Sequence, residues 1–221
     1  MSLAYQPEQT VLPFRPAPPP PRNWNRAADS DLDFLEVFVG ADRARTLLAR
    51  FGSLAAVVGG DRVEIDRIAG PRAAILIDAV REVAVRMARA DAYRRPCLKS
   101  TIAVRDYLNV VMAWEGREQF RVLFLDKRNK LIVDEVMGWG TISHAPVYPR
   151  EVIRRALEVD ASALILAHNH PAGDPTPSSA DVDMTRMVIE AGRHLGIVVH
   201  DHIVIAREGH ASLAALGLLF R

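Results

Sequence analysis

The chain reads as an α/β layer structure around a mixed sheet, preceded by a small all-α helical domain. Three observations predict this. Apolar strand-like runs alternate with helical patterns through the C-terminal half. Between Asp29 and Tyr93 apolar residues recur at helical spacing instead. A proline-rich stretch precedes both, so the zones are a tail over 1–27, a helical domain over 28–98 and an α/β domain over 99–221.

The tail contains LPFRPAPPPPRNWN and few branched apolar side chains, a composition expected to stay extended and disordered. In the helical zone Leu32, Leu35 and Val39, then Leu47, Leu48, Phe51, Leu54, Val57 and Val58, supply apolar faces. Ile75, Ile77, Val80, Val83 and Met87 supply a later one, and Gly40, Gly52, Gly59 and Gly60 mark breaks. Pro96 and the text around Cys97 to Lys99 form a linker. A helix over 104–114 then leads to strands at 120–125, 131–136, 163–167 and 197–205, with helices starting near Pro149 and Ser178. Pro149 suits the first helical position, and Val152, Ile153, Ala156 and Leu157 give its helix a buried stripe. Met184, Met187, Val188, Ala191 and Leu195 do the same for the next helix, with Gly196 as its stop.

Composition excludes several classes. An apolar share of 49% with 25% charged residues describes a soluble chain that can bury a sizeable core. The single cysteine, Cys97, rules out an intramolecular disulfide and the cysteine-rich zinc sites, and fits a reducing compartment. It also leaves no Pro-Cys-x-x-Cys pair for a zinc deaminase. No apolar run approaches a membrane span and no signal peptide opens the chain, so the cytoplasm is the expected location and no membrane partner is expected. A net charge of +1 gives no global basic footprint for nucleic acid. Arg81, Arg86 and Arg89, followed by Arg94 and Arg95, form a local cluster, but Asp78, Glu82 and Asp91 offset it, and a solvated helix face is expected.

The densest chemistry lies in AHNHPAGDPTPSSAD, from Ala167 to Asp181. His168 and His170 end an apolar strand-like run, and residues two apart on a strand share a face. The Pro and Gly residues up to Pro177 force a loop, which brings Asp181 back in the first turn of a helix. Two imidazoles and one carboxylate suit tetrahedral zinc, with the fourth position open for water. Ser178 and Asp181 also spell a capping box, which accounts for those two residues without a metal. Capping does not account for two histidines at the end of a buried strand. His200 and His202 could in principle form another pair, but satisfied polar groups near the site are the expected reading. His194 suits a helix C-terminus, and His144 and His210 are expected to face water.

His168-Asn169-His170, seven intervening residues, Ser178, two more and Asp181 together resemble the H-x-H-x7-S-x2-D signature of the JAMM, or MPN-type, zinc metalloproteases. The flanking HNHPAGDPTPS and GIVVHDHIVI resemble the bacterial RadC branch. The resemblance implies a cytidine-deaminase-like α/β/α sandwich over 99–221, Zn2+ held by His168, His170 and Asp181, and hydrolysis of a peptide or protein-conjugate substrate. It further implies a glutamate general base acting through the zinc-bound water, at the position of Glu118, with Ser178 stabilising the oxyanion. Glu135 is the competing base and Glu115 a more distant one.

LLARFGSLAAVV and IDRIAGPRAAILIDAVREVAVRM resemble the helix-hairpin-helix region of the same branch, which implies contact with a phosphate backbone. This chain departs from that pattern at Ile68-Ala69-Gly70-Pro71, where one glycine is followed by a residue with no N–H donor. A zinc hydrolase is therefore the first reading. The alternative is a DNA-repair-associated factor whose MPN domain is a scaffold.

Overall fold

The structure, a computed structural model, describes residues 30–94, 101–140 and 147–219. The expected tail, the linker with Cys97, and His144 lie outside them. Five helices come first: α1 (Asp31–Val39), α2 (Ala41–Phe51), α3 (Leu54–Val58), α4 (Arg62–Ala69) and α5 (Pro71–Arg94). Ser30 opens α1 with a reciprocal cap to Asp33. Gly40 and Gly70 end α1 and α4 at φ of 82° and 88°, a region glycine enters without a Cβ penalty. Leu35, Leu47, Val57, Ile65 and Ile77 fill the core between these helices.

α5 corrects the expected apolar face. Ile77 is buried, but Ile75, Val83 and Met87 are exposed. The helix packs its N-terminal half against α4 through Ala73, Ala74 and Ile77, and its later turns against the next domain through Val85, Ala88 and Ala92. The row of larger residues points away from both.

The second region runs α6 (Thr101–Met112), β1 (Gln119–Leu125), β2 (Leu131–Trp139), α7 (Pro149–Glu158), β3 (Ala163–His170), α8 (Ser179–Arg193), β4 (Val198–Ala206) and β5 (Gly209–Ser212). Helix α6 starts three residues earlier than its apolar pattern, and β5 was not expected. The strands form one mixed sheet in the order β2-β1-β3-β4-β5, with β3 and β4 parallel and the other neighbours antiparallel. Strand alternation sorts the side chains between two cores. Leu123, Leu125, Ile165, Ala167, Ile203 and Ile205 face α6 and the end of α5. Phe120, Val122, Phe124, Leu164 and Leu166 face the other way, against Val152, Ile153 and Ala156 of α7 and Val188 of α8. This is the α/β/α sandwich.

Leu157, Met187 and Leu195 are exposed, contrary to the expected stripes. Small and polar residues carry those contacts instead: Ala156 closes the α7 stripe, and Thr185 and Gly192 flank Val188 on α8. A Cβ on Gly192 would come within 2.8 Å of the Ile197 carbonyl oxygen, so only glycine lets α8 sit this close.

One polar network is largely buried and reaches the surface at Arg89. The Arg121 guanidinium on β1 donates to both oxygens of Asp134 on β2, at 2.7 and 2.6 Å. The Tyr107 hydroxyl from α6 donates to the same carboxylate, and Arg89 of α5 reaches Tyr107 at 3.4 Å. Burial, then the neighbouring Asp134, pushes the Tyr107 hydroxyl up to about 12. Arg81 of α5 pairs with Glu115 in the segment before β1. Arg81 and Arg89 thus turn toward the sheet domain, and of the expected solvated pairs Arg86–Glu82 forms, at 2.6 Å.

Candidate metal centre

Strand parity puts His168 and His170 on the α7/α8 side of the sheet, because they continue the series Leu164, Leu166. The loop after His170 turns at Gly173 and hands the chain to α8, whose N-cap is Ser178. Asp181, three residues on, completes the cap. The Asp181 N–H donates to Ser178 Oγ at 3.2 Å, while the Ser178 N–H and hydroxyl donate to Asp181 Oδ2 at 2.7 and 2.6 Å. The cap and the histidines share one carboxylate: Oδ2 accepts from Ser178 and lies toward His170, and Oδ1 lies toward His168.

His168 Nε2 lies 2.9 Å from His170 Nε2 and 3.4 Å from Asp181 Oδ1, and His170 Nε2 lies 3.8 Å from Asp181 Oδ2. Ligand atoms about 2.0–2.2 Å from a tetrahedral ion are about 3.3–3.6 Å apart; the His168–Asp181 Oδ1 distance falls in that range, while the two imidazole nitrogens are closer together and His170 lies farther from the other Asp181 oxygen. Nδ1 of His170 meets the Asp174 carbonyl oxygen at 2.8 Å. A carbonyl can only accept, so the proton sits on Nδ1 and Nε2 presents a bare lone pair to the cluster. Burial pushes the Asp181 carboxyl up, while the Ser178 hydroxyl and N–H that donate to Oδ2 favour its ionised form. An ionised oxygen and converging imidazole nitrogens form a donor set that fits zinc with one position open. Among the described residues, this is the one group of His, Cys, Asp and Glu spaced for a metal ion.

Glu118 sits one residue before β1 and is partly buried. Phe120 pairs with His168 in the antiparallel β1/β3 ladder, so the same register carried two residues further sets Glu118 across from His170. Asn169, buried between the histidines, ties this segment down. Its Oδ1 accepts the Gln119 N–H at 2.8 Å, and its Nδ2 donates to the carbonyls of Glu115 and Arg117, each at 3.2 Å. The Gly140 N–H also donates to the Glu118 carbonyl at 2.8 Å. The competing carboxylates are engaged elsewhere. Arg155 binds Glu135 through Nε at 2.8 Å and keeps its carboxyl below the ordinary value, and Glu115 pairs with Arg81. The Glu118 carboxylate has no such partner among the described residues.

A register shift in the β3/β4 ladder between Leu164 and Ile165 leaves His200 out of the pairing, so the polar run on β4 divides there. His200 Nε2 meets Asn129 Oδ1 at 2.7 Å. Asp201 accepts from the Ser212 hydroxyl at 2.6 Å and from the Ala214 N–H at 3.0 Å. His202 is buried with Nε2 at 2.7 Å from His168 Nδ1 and Nδ1 at 2.5 Å from Thr185 Oγ1. Burial, then the nearby His168, lowers its proton affinity well below the ordinary value, so the ring is neutral. His194 caps the C-terminus of α8, and His210 is exposed on β5.

Sequence reading did not single out Asn169 or Thr185. Asn169 was hidden because its partners lie 50 to 54 residues away in the chain. Thr185 carried one available signal: it stands one helical turn after Asp181, on the face that must be buried if Asp181 points at the sheet. The family comparison converges on the same part of the molecule. The model described as RadC-like JAB domain matches residues 98–218, which takes in all five strands, α6 to α8 and every residue of this centre, and the chain belongs to that family.

Proposed function

We propose that this chain is a zinc-dependent hydrolase of the JAMM type that cuts a peptide or isopeptide bond. Residues 99–221 form the catalytic domain and 28–98 a helical domain in front of it. The observation that carries this reading is the convergence of His168, His170 and Asp181, with Glu118, whose carboxylate has no partner among the described residues, set across from His170 by the β1/β3 register. When bound, zinc supplies a Lewis acid that polarises the scissile carbonyl and makes water reactive at neutral pH. Glu118 takes a proton from the attacking water and returns it to the leaving nitrogen, as the new C–O bond forms and the C–N bond breaks. The Ser178 hydroxyl donates to the developing oxyanion; it has one proton, so it must turn away from Asp181 to do so. A cavity of about 500 Å³ opens between the helical region and the segment before Glu118, lined by Arg50, Phe51 and Arg81 and by Trp114, Arg117 and Arg207; none of the proposed ligands lines it.

Glu118→Gln keeps the size of the side chain and removes the proton acceptor. We expect it to hold zinc like the unaltered chain and to lose about 10²-fold or more in hydrolysis of fluorogenic peptide or isopeptide substrates. Glu135→Gln should change neither. Full activity in the first variant with loss in the second would transfer the role to Glu135.

The helical domain offers little to a phosphate backbone. The α4–α5 turn presents Gly70 followed by Pro71, and Arg50, Arg62 and Arg81 are paired with Glu64, Asp78 and Glu115. We expect the full chain to bind duplex, forked or single-stranded oligonucleotides more weakly than about micromolar at physiological salt, within the non-specific range. Fluorescence anisotropy checks this. Nanomolar, structure-selective binding that Gly70→Val abolishes would put the DNA-associated reading first.

A further inference from the structure

We infer that His202 and Thr185 are positioning residues of the metal centre, forming a hydrogen-bond chain that fixes His168 in the tautomer with Nε2 bare. The inference rests on the proposed zinc site and concerns residues outside its ligand set. Proton bookkeeping along the chain has one solution. Thr185 Oγ1 is 2.6 Å from the Asp181 carbonyl oxygen, which can only accept, so the threonine proton lies there. Thr185 Oγ1 must therefore accept from His202 Nδ1–H, across 2.5 Å. A neutral imidazole carries one N–H, so His202 Nε2 is an acceptor, and at 2.7 Å it takes the proton of His168 Nδ1. A neutral His168 is then left with its lone pair on Nε2, the nitrogen that faces His170 and Asp181.

All three side chains are nearly or fully buried, so no bulk water can substitute for a missing partner. The chain also closes on itself: it starts at one proposed ligand, His168, and ends on the main-chain carbonyl of another, Asp181. Removing the threonine hydroxyl has a defined result. His202 Nδ1–H loses its acceptor, the proton moves to Nε2, and His202 becomes a donor toward His168. The His168 proton must then sit on Nε2, where it blocks the ion. Outer partners of this kind set the orientation and basicity of metal-bound histidines.

The test uses the full chain with Thr185→Val, Thr185→Ser, His202→Leu and His202→Gln. Zinc dissociation constants come from competition with a fluorescent chelator. Two-bond ¹H–¹⁵N correlation spectra of the zinc-free protein report the histidine tautomers, and circular-dichroism melting of the zinc-free forms reports the fold. We expect Thr185→Val and His202→Leu to weaken zinc binding by about 10–100-fold. Thr185→Ser and His202→Gln, which keep a hydroxyl and an acceptor, should recover most of it. The unaltered chain should show His168 protonated on Nδ1, and Thr185→Val should move that proton to Nε2 with little change in melting. An Nε2–H tautomer in the unaltered chain, or equal zinc affinity in the valine and serine variants, overturns the inference. If the unaltered chain binds no zinc, the proposed function fails, and the tautomer spectra still decide the hydrogen-bond chain.

Discussion

On the proposed function, the unaltered chain is expected to carry about one zinc ion per molecule, and His168→Ala, His170→Ala and Asp181→Ala will each strip the purified chain of most of it. With three protein ligands and an open fourth position, losing one leaves a two-ligand site, and such sites do not hold zinc against water and buffer. Elemental analysis checks the expectation. Acidification should release the metal from the unaltered chain as well, since protons compete with it for both imidazole nitrogens. Asp181→Ala carries a second, smaller cost, because it removes the capping acceptor of the Ser178 N–H and hydroxyl at the start of α8. Zinc content in His168→Ala and His170→Ala equal to that of the unaltered chain would end the metal assignment.

Asp134→Ala will be the most destabilising single change outside the metal centre. The Asp134 side chain is 1% exposed and that of Arg121 10%, so water cannot take over the orphaned guanidinium. Breaking a buried pair from one side costs about 3–5 kcal/mol, or about 10 °C in melting temperature for a chain of this size. Arg121 Nε is already buried without a partner, and the contact left to the guanidinium is the one from Nη2 to Gln119 Oε1 at 3.3 Å. Replacing both partners with apolar residues, as in Arg121→Met with Asp134→Leu, should restore much of the loss, because the desolvation cost of both charges then disappears. Thermal melting of the single and double variants checks this, and a loss under about 1 kcal/mol in Asp134→Ala would mean that water reaches the pair.

The layer order and the clustering of His168, His170 and Asp181 were legible because both depend on local periodicity. A period of two places His168 and His170 on one face, and the Ser178 cap fixes where Asp181 points. Glu118 came from family resemblance, since nothing near it in the sequence separates it from Glu115 or Glu135. Those two are set aside by Arg81 and Arg155, which lie 34 and 20 residues away along the chain. The same distance problem hid Arg121–Asp134 and Asn169. On α5, helical spacing allowed more than one apolar stripe, and the small residues Ala73, Ala74 and Ala88 won because α4 and α6 approach closely there. A wide apolar pattern identifies a helix, but its neighbours decide which side is buried.

The segment that carries Glu118 is anchored at both ends of its reach. Asn169 holds it to the strand of the histidines, and Glu115 holds it through Arg81 to α5, the longest helix of the front domain. Force applied to α5 therefore has a mechanical path to the proposed base that does not pass through the metal ligands. If the proposed hydrolysis holds, a docked protein that tilts α5 is expected to change turnover while leaving metal content untouched, a separation of throttle from engine set by where one arginine lands.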